Sequence, residues 1–143
     1  MSAATVLQNG RVKAYRPMPE ADRRHAFESA LEAYDRGDFF ETHELLEPAW
    51  MGTDDLAERA LHQGLIKLAA AFVHGVRGNA AGIAKNLVGA REHLAASLGS
   101  GPAEGSGLDL VALVAAIDDR LARLAADPTN ASIEAPALLR TDR

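Results

Sequence analysis

The chain has 143 residues, no cysteine and a formal charge of −5 at neutral pH. That length suits one ordinary domain with its own core, and the absence of thiols excludes disulfides and thiolate metal sites and fits a reducing compartment. An acidic chain lacks the basic footprint that nucleic acid or an anionic membrane surface requires, so neither is an expected partner.

Residues 1–18 read as an irregular arm. MSAATVLQNGRVKAYRP has neither the apolar core of a signal peptide nor a targeting pattern. No run approaches ~18 uninterrupted apolar residues, so a soluble, cytoplasmic protein is expected. From about Glu20 a helix carries Phe27, Leu31 and Tyr34 on one face, and Gly37 suits the left-handed position that ends it. Asp38 reads as the N-cap of a second helix, with Glu41 three residues on in a capping-box arrangement, so the two helices form a tight hairpin. Pro48 removes one hydrogen bond of that second helix and biases Glu47 away from helical dihedrals, which predicts a kink or an end there.

Thr53-Asp54-Asp55 opens a third helix running to about Val76. Its stripe of Leu61, Leu65, Leu68 and Phe72, widened by Ile66, Ala69 and Val73, predicts a central helix touched on several sides. Asn79 reads as the cap of a fourth helix to about Leu98, which buries Ile83, Leu87, Ala90, Leu94 and Leu98. Residues 99–107, GSGPAEGSG, have the composition of a flexible linker. A fifth helix over about 109–126 carries Leu110, Leu113, Val114, Ile117, Leu121 and Leu124. After Pro128 the tail suggests a short turn around Ile133–Leu139, interrupted by Pro136. No strand pattern emerges. The expected fold is all-α: a single compact bundle of about five helices over residues 19–127, with an arm before it and a tail over 128–143.

The run DFFETHELLEPAW holds the candidate chemistry. Taking His43 as zero, about 100° per residue puts Glu47 near +40° and Trp50 near −20°, with Phe39, Phe40 and Leu46 flanking them. A histidine and a carboxylate on a core-facing stripe with the chain's single Trp call for partners, because unpaired buried polar groups are costly. Glu44 falls outside the stripe and is expected in solvent. His and Glu four apart on a helix can reach one metal ion, yet a closed zinc site needs four ligands and a catalytic one three plus water. His74 and His62 are the candidates for the missing ligand, so His43, Glu47 and His74 form the candidate set for a divalent metal. No Glu-x-x-His occurs, which removes a di-iron bundle.

On the third helix Arg59, Gln63, Lys67 and His74 share the face opposite Leu61, Leu65 and Phe72. Lys67 reads as solvated, whereas Arg59 and Gln63 are placed to bond Glu47 or His43 across the second helix. His62 reads as a partly buried histidine bonded to a backbone carbonyl. His25 and His93 read as surface residues, and Asp118-Asp119 as a solvated face. There is no Cys nucleophile, Gly-x-Ser-x-Gly elbow or phosphate-cradling glycine loop.

The run His43-x-x-x-Glu47-x-x-Trp50, then Arg59, Gln63-Gly64-Leu65-Ile66 and Gly78-Asn79-x-x-Gly82, resembles the DUF309 family, small prokaryotic all-helical proteins of undetermined function. The likeness covers roughly residues 24–98, and Pro48 between Glu47 and Trp50 departs from it. It implies a compact helical bundle with the His-x-x-x-Glu-x-x-Trp segment as signature. Some members carry the description of metal-dependent hydrolases. Two readings follow for function. The first is a module binding a small ligand or a partner protein, with His43, Glu47, Trp50, Arg59 and Gln63 as its pocket. The alternative is a metal-dependent hydrolase using His43 and Glu47. The Ala- and Gly-rich fourth helix leaves homo-oligomer formation open.

Overall fold

The computed structural model describes residues 5–8, 11–99 and 106–141. Five helices follow one another: α1 Glu20–Asp35, α2 Phe39–Met51, α3 Leu56–Val76, α4 Ala80–Gly99 and α5 Leu110–Ala126. The fold is an all-α bundle in which each helix packs on the next. The α3–α4 pair makes the most extensive contact. As its broad apolar stripe predicts, α3 is central, buried continuously from Leu61 to Ile66 and packed between α2 and α4. None of the described helices is long and apolar enough to cross a membrane.

The helix starts follow their caps. Asp38 accepts from Glu41 N at 3.1 Å and Asp55 from Glu58 N at 2.9 Å. Asn79 accepts from Gly82 N at 3.0 Å and Asp109 from Ala112 N at 2.9 Å. Each bond satisfies one of the four amides that a helix start leaves open. The capping box at Asp38 is only half formed, because the Asp38 amide donates to Ala33 O instead. Gly37 takes the left-handed conformation, with φ 80°, as its place after α1 requires.

Three expectations need correction. Pro48 neither ends nor interrupts α2, which runs on to Met51. Pro48 and Glu44 both lie on the exposed side of the helix, so the carbonyl that loses its amide partner faces water. The arm is not wholly irregular: β1 Thr5–Gln8 pairs antiparallel with β2 Arg11–Ala14 in the register Thr5↔Ala14 to Gln8↔Arg11. Asn9-Gly10 between them, a strong hairpin dipeptide, was the available sequence signal. The arm then follows the end of α2, with Arg16 N and Met18 N donating to Met51 O and Gly52 O.

The tail does not form the expected short turn at 133–139. It lies across the bundle as a strap with Ile133, Pro136 and Leu138 buried. Tyr34 Oη donates to Pro136 O at 2.7 Å, and the Asp109 and Thr141 amides donate to Leu139 O and Gly107 O. Glu134 on the strap pairs with Arg120 and Arg123 of α5. Of the Gly-rich stretch 99–107, residues 100–105 lie outside the described residues.

Candidate functional site

The stripe around His43 is rotated from its expected position. The buried residues of α2 are Thr42, Leu46, Ala49 and Trp50. Measured from Leu46, about 100° per residue puts Trp50 near +40° but His43 near +60° and Glu47 near +100°. Trp50 is fully buried, His43 is half-exposed at the edge and Glu47 is in solvent. Glu44 is exposed as expected, and its Oε2 lies 3.4 Å from His43 Nδ1. The core packs the aromatic and the small residues, and the ionisable pair falls to the rim because burial would strip its hydration.

Arg59 and Gln63 do not bond His43 or Glu47. Gln63 is buried, 7% exposed, and the Arg59 guanidinium lies over the Trp50 ring, 5.3 Å from its centroid. Such a contact attracts a cation to the ring face. Trp50 Nε1 and Arg59 Nε are both buried without a hydrogen-bond partner. Burial pulls the Arg59 guanidinium below its ordinary value. His62 is more deeply buried than expected, 2% exposed, and bonds no backbone carbonyl. Its ring lies 5.7 Å from Phe27, and burial, opposed by Glu58 and helped by Arg23, lowers its pKa to about 4. Beside it Arg23 Nε donates to Glu58 Oε2 at 2.7 Å, Arg23 Nη1 donates to Met18 O, and Thr53 Oγ1 donates to Glu58 Oε1. Arg23 and Glu58 stand 35 residues apart, and nothing in the local sequence pattern pairs them.

The metal set fails on geometry. Among the described residues no three His, Cys, Asp or Glu side chains are grouped to hold an ion, so His43, Glu47 and His74 do not form the expected site. His74 belongs instead to the last turn of α3, beside the start of α4.

There an open groove of about 490 Å³ is lined by Lys67, His74, Asn79, Ala81, Gly82, Lys85 and Asn86. Two features of α4 shape it. At Gly82 an added Cβ would come within 2.6 Å of the His74 ring, so only glycine lets the helices approach this closely. At Gly89 the same construction meets the Lys67 stem at 3.5 Å, which shows the lysine lying along α4. Lys67 is therefore half-buried, in place of the solvated position expected for it. His93, expected at the surface, is half-buried too; burial first and then the Lys67 charge pull it below the ordinary histidine value.

The polar atoms of the groove have assignable roles. Asn79 Oδ1 accepts from Gly82 N, which fixes the amide and leaves Asn79 Nδ2 to donate to His74 Nδ1 at 3.2 Å. In neutral His74 the remaining nitrogen, Nε2, then carries the hydrogen and is a donor. Asn86 Nδ2 donates to Gly82 O at 2.9 Å, leaving Asn86 Oδ1 as the uncommitted acceptor. No carboxylate lines the groove, and among the described residues neither Lys67 nor Lys85 is within ion-pair distance of one. Lys85 and Asn86 were missed in the sequence. The available signal was Asn79, Gly82 and Asn86 at spacings of three and four on one face of α4, opposite Lys67 and His74, seven apart on α3.

The fold and its two polar regions define a small all-α bundle of sequentially packed helices. Residues 27–86 match the model of DUF309, a domain of unknown function. The match is narrower at both ends than the span read from the sequence, yet it contains both Trp50 and the whole groove lining. No curated protein and no solved structure matches the chain.

Proposed function

We propose that this protein is a small-molecule-binding module whose ligand is an anion held in the α3–α4 groove. One observation supports this above the rest: two lysines with no carboxylate partner share an open groove in an acidic chain. Among the described residues outside it, cations pair with acids in Arg23–Glu58, Arg91–Asp118, Arg123–Glu134 and Arg140–Asp35. Leaving Lys67 and Lys85 unneutralised raises the local positive potential, which concentrates anions at that spot. The positive end of α4 adds to the same field. The Trp50 junction serves this role less well, because the indole is fully covered and a ligand there would have to displace packed side chains.

Calorimetric titration of the full chain with inorganic phosphate and with citrate tests the reading. Saturable binding of either anion is expected, weakened tenfold or more, about 1.4 kcal/mol, by Lys67→Ala or Lys85→Ala. If neither anion binds, or both variants bind as wild type, the groove is not an anion site.

A further inference from the structure

From the distribution of donors, acceptors and apolar surface in the groove, and resting on the anion reading above, we infer that its ligand is a phosphomonoester of a small polyhydroxylated compound, such as a sugar phosphate. Three observations converge on that class. The first is charge. Lys67 and Lys85 offer two cations without carboxylate partners, and His74 Nε2 adds a donor fixed by Asn79. A phosphomonoester carries about −1.5 to −2 charges near neutral pH and three acceptor oxygens, which matches that set better than a single carboxylate.

The second is size. A cavity of about 490 Å³ falls within the range of roughly 300–1,000 Å³ that accommodates small organic ligands, well beyond what an isolated phosphate fills. The third is the character of the walls. Ala81 and Gly82 are the nonpolar residues among the lining, and no Phe, Tyr, Trp or branched aliphatic side chain joins them. A nucleobase would find no stacking platform beyond the His74 imidazole, against which Gly82 already packs, and an acyl chain would find no apolar wall. The remaining polar atom, Asn86 Oδ1, is an acceptor that suits a ligand hydroxyl, its amide nitrogen being held by Gly82 O. Phosphate thus sits toward the lysines and His74, and a hydroxylated body sits toward Asn86.

Titration of the full chain with ribose 5-phosphate, glucose 6-phosphate, inorganic phosphate and the two parent sugars distinguishes this inference from the reading beneath it. At least one sugar phosphate is expected to bind tenfold or more tighter than inorganic phosphate, and the free sugars a hundredfold or more weaker. Asn86→Ala is expected to erase the preference for the sugar phosphate while inorganic phosphate binds as before. Thermal unfolding of each variant, with a transition within a few degrees of wild type, establishes that the change is in the groove and not in the fold. Equal affinity for inorganic phosphate and both sugar phosphates overturns the inference and leaves the anion reading standing. An unchanged preference in the Asn86→Ala protein also overturns it. Failure of every anion to bind removes both.

Discussion

Helix α3 carries polar side chains in two regions of opposite character. Toward its start, Glu58, Arg59 and His62 meet α1 and α2 around Trp50, where Arg23 closes on Glu58 and the indole is completely covered. Toward its end, Lys67 and His74 meet α4 across an open groove and keep hydrogen-bonding capacity in reserve. In the first region polar groups hold helices together, and those left unpartnered, such as His62 Nδ1 and Trp50 Nε1, are enclosed by packing. In the second, side chains are oriented by their neighbours yet remain accessible. Buried polarity therefore marks assembly in this protein, and oriented but unspent polarity marks the place for a ligand.

The largest expected effect tests the first region as a packed one. Trp50→Ala should lower stability by about 3–5 kcal/mol in denaturant unfolding, as large cavities do. A loss below about 1 kcal/mol would show the indole to be poorly packed and would break the contrast.

His62 gives the next effect, through pH. Its folded-state pKa of about 4 lies below the ordinary 6.5, so the unfolded chain binds the extra proton between those values. The stability this burial implies is fully present above about pH 6.5 and is lost as pH falls toward 4, by up to about 3 kcal/mol. His62→Leu should flatten that part of a stability-versus-pH curve, and an equal slope in both proteins would rule out the neutral buried imidazole.

Asn79→Ala should cost about 1 kcal/mol through the lost cap of α4. The same change frees His74 from its fixed tautomer, which nitrogen NMR of the imidazole reads directly; an unaltered tautomer would place its control elsewhere. The smallest effect sharpens the comparison most. Lys85→Ala should leave stability within about 0.5 kcal/mol of wild type. A larger loss would make that lysine a structural residue like Arg23 and narrow the difference between the two regions.

Much of the fold was legible in the sequence because its signals are local. The caps at Asp38, Asp55, Asn79 and Asp109 and the stripes of α3 and α4 are read within one or two turns of chain. The hairpin before α1 has a local signal too, the dipeptide Asn9-Gly10, which helical periodicity does not register. The site was harder. Taking His43 as the centre of its stripe gave the polar residues a weight that packing does not, and the true centre lies at Leu46 and Trp50. Glu47 and His74, set together as metal ligands, belong to separate regions, and periodicity within one helix carries no information about which helix faces it.

The sequence by itself determined the class of fold and where the helices begin, because backbone capping and hydrophobic period act between residues a few positions apart. Only the tertiary structure decided that Arg23 finds Glu58, that Arg59 stacks on Trp50 and that Lys67 shares a groove with Lys85. Those contacts depend on how α3 is rotated between its neighbours. That rotation is set by close approaches such as Gly64 on Leu94 and Gly82 on His74, which belong to pairs of helices and to no single stretch of chain.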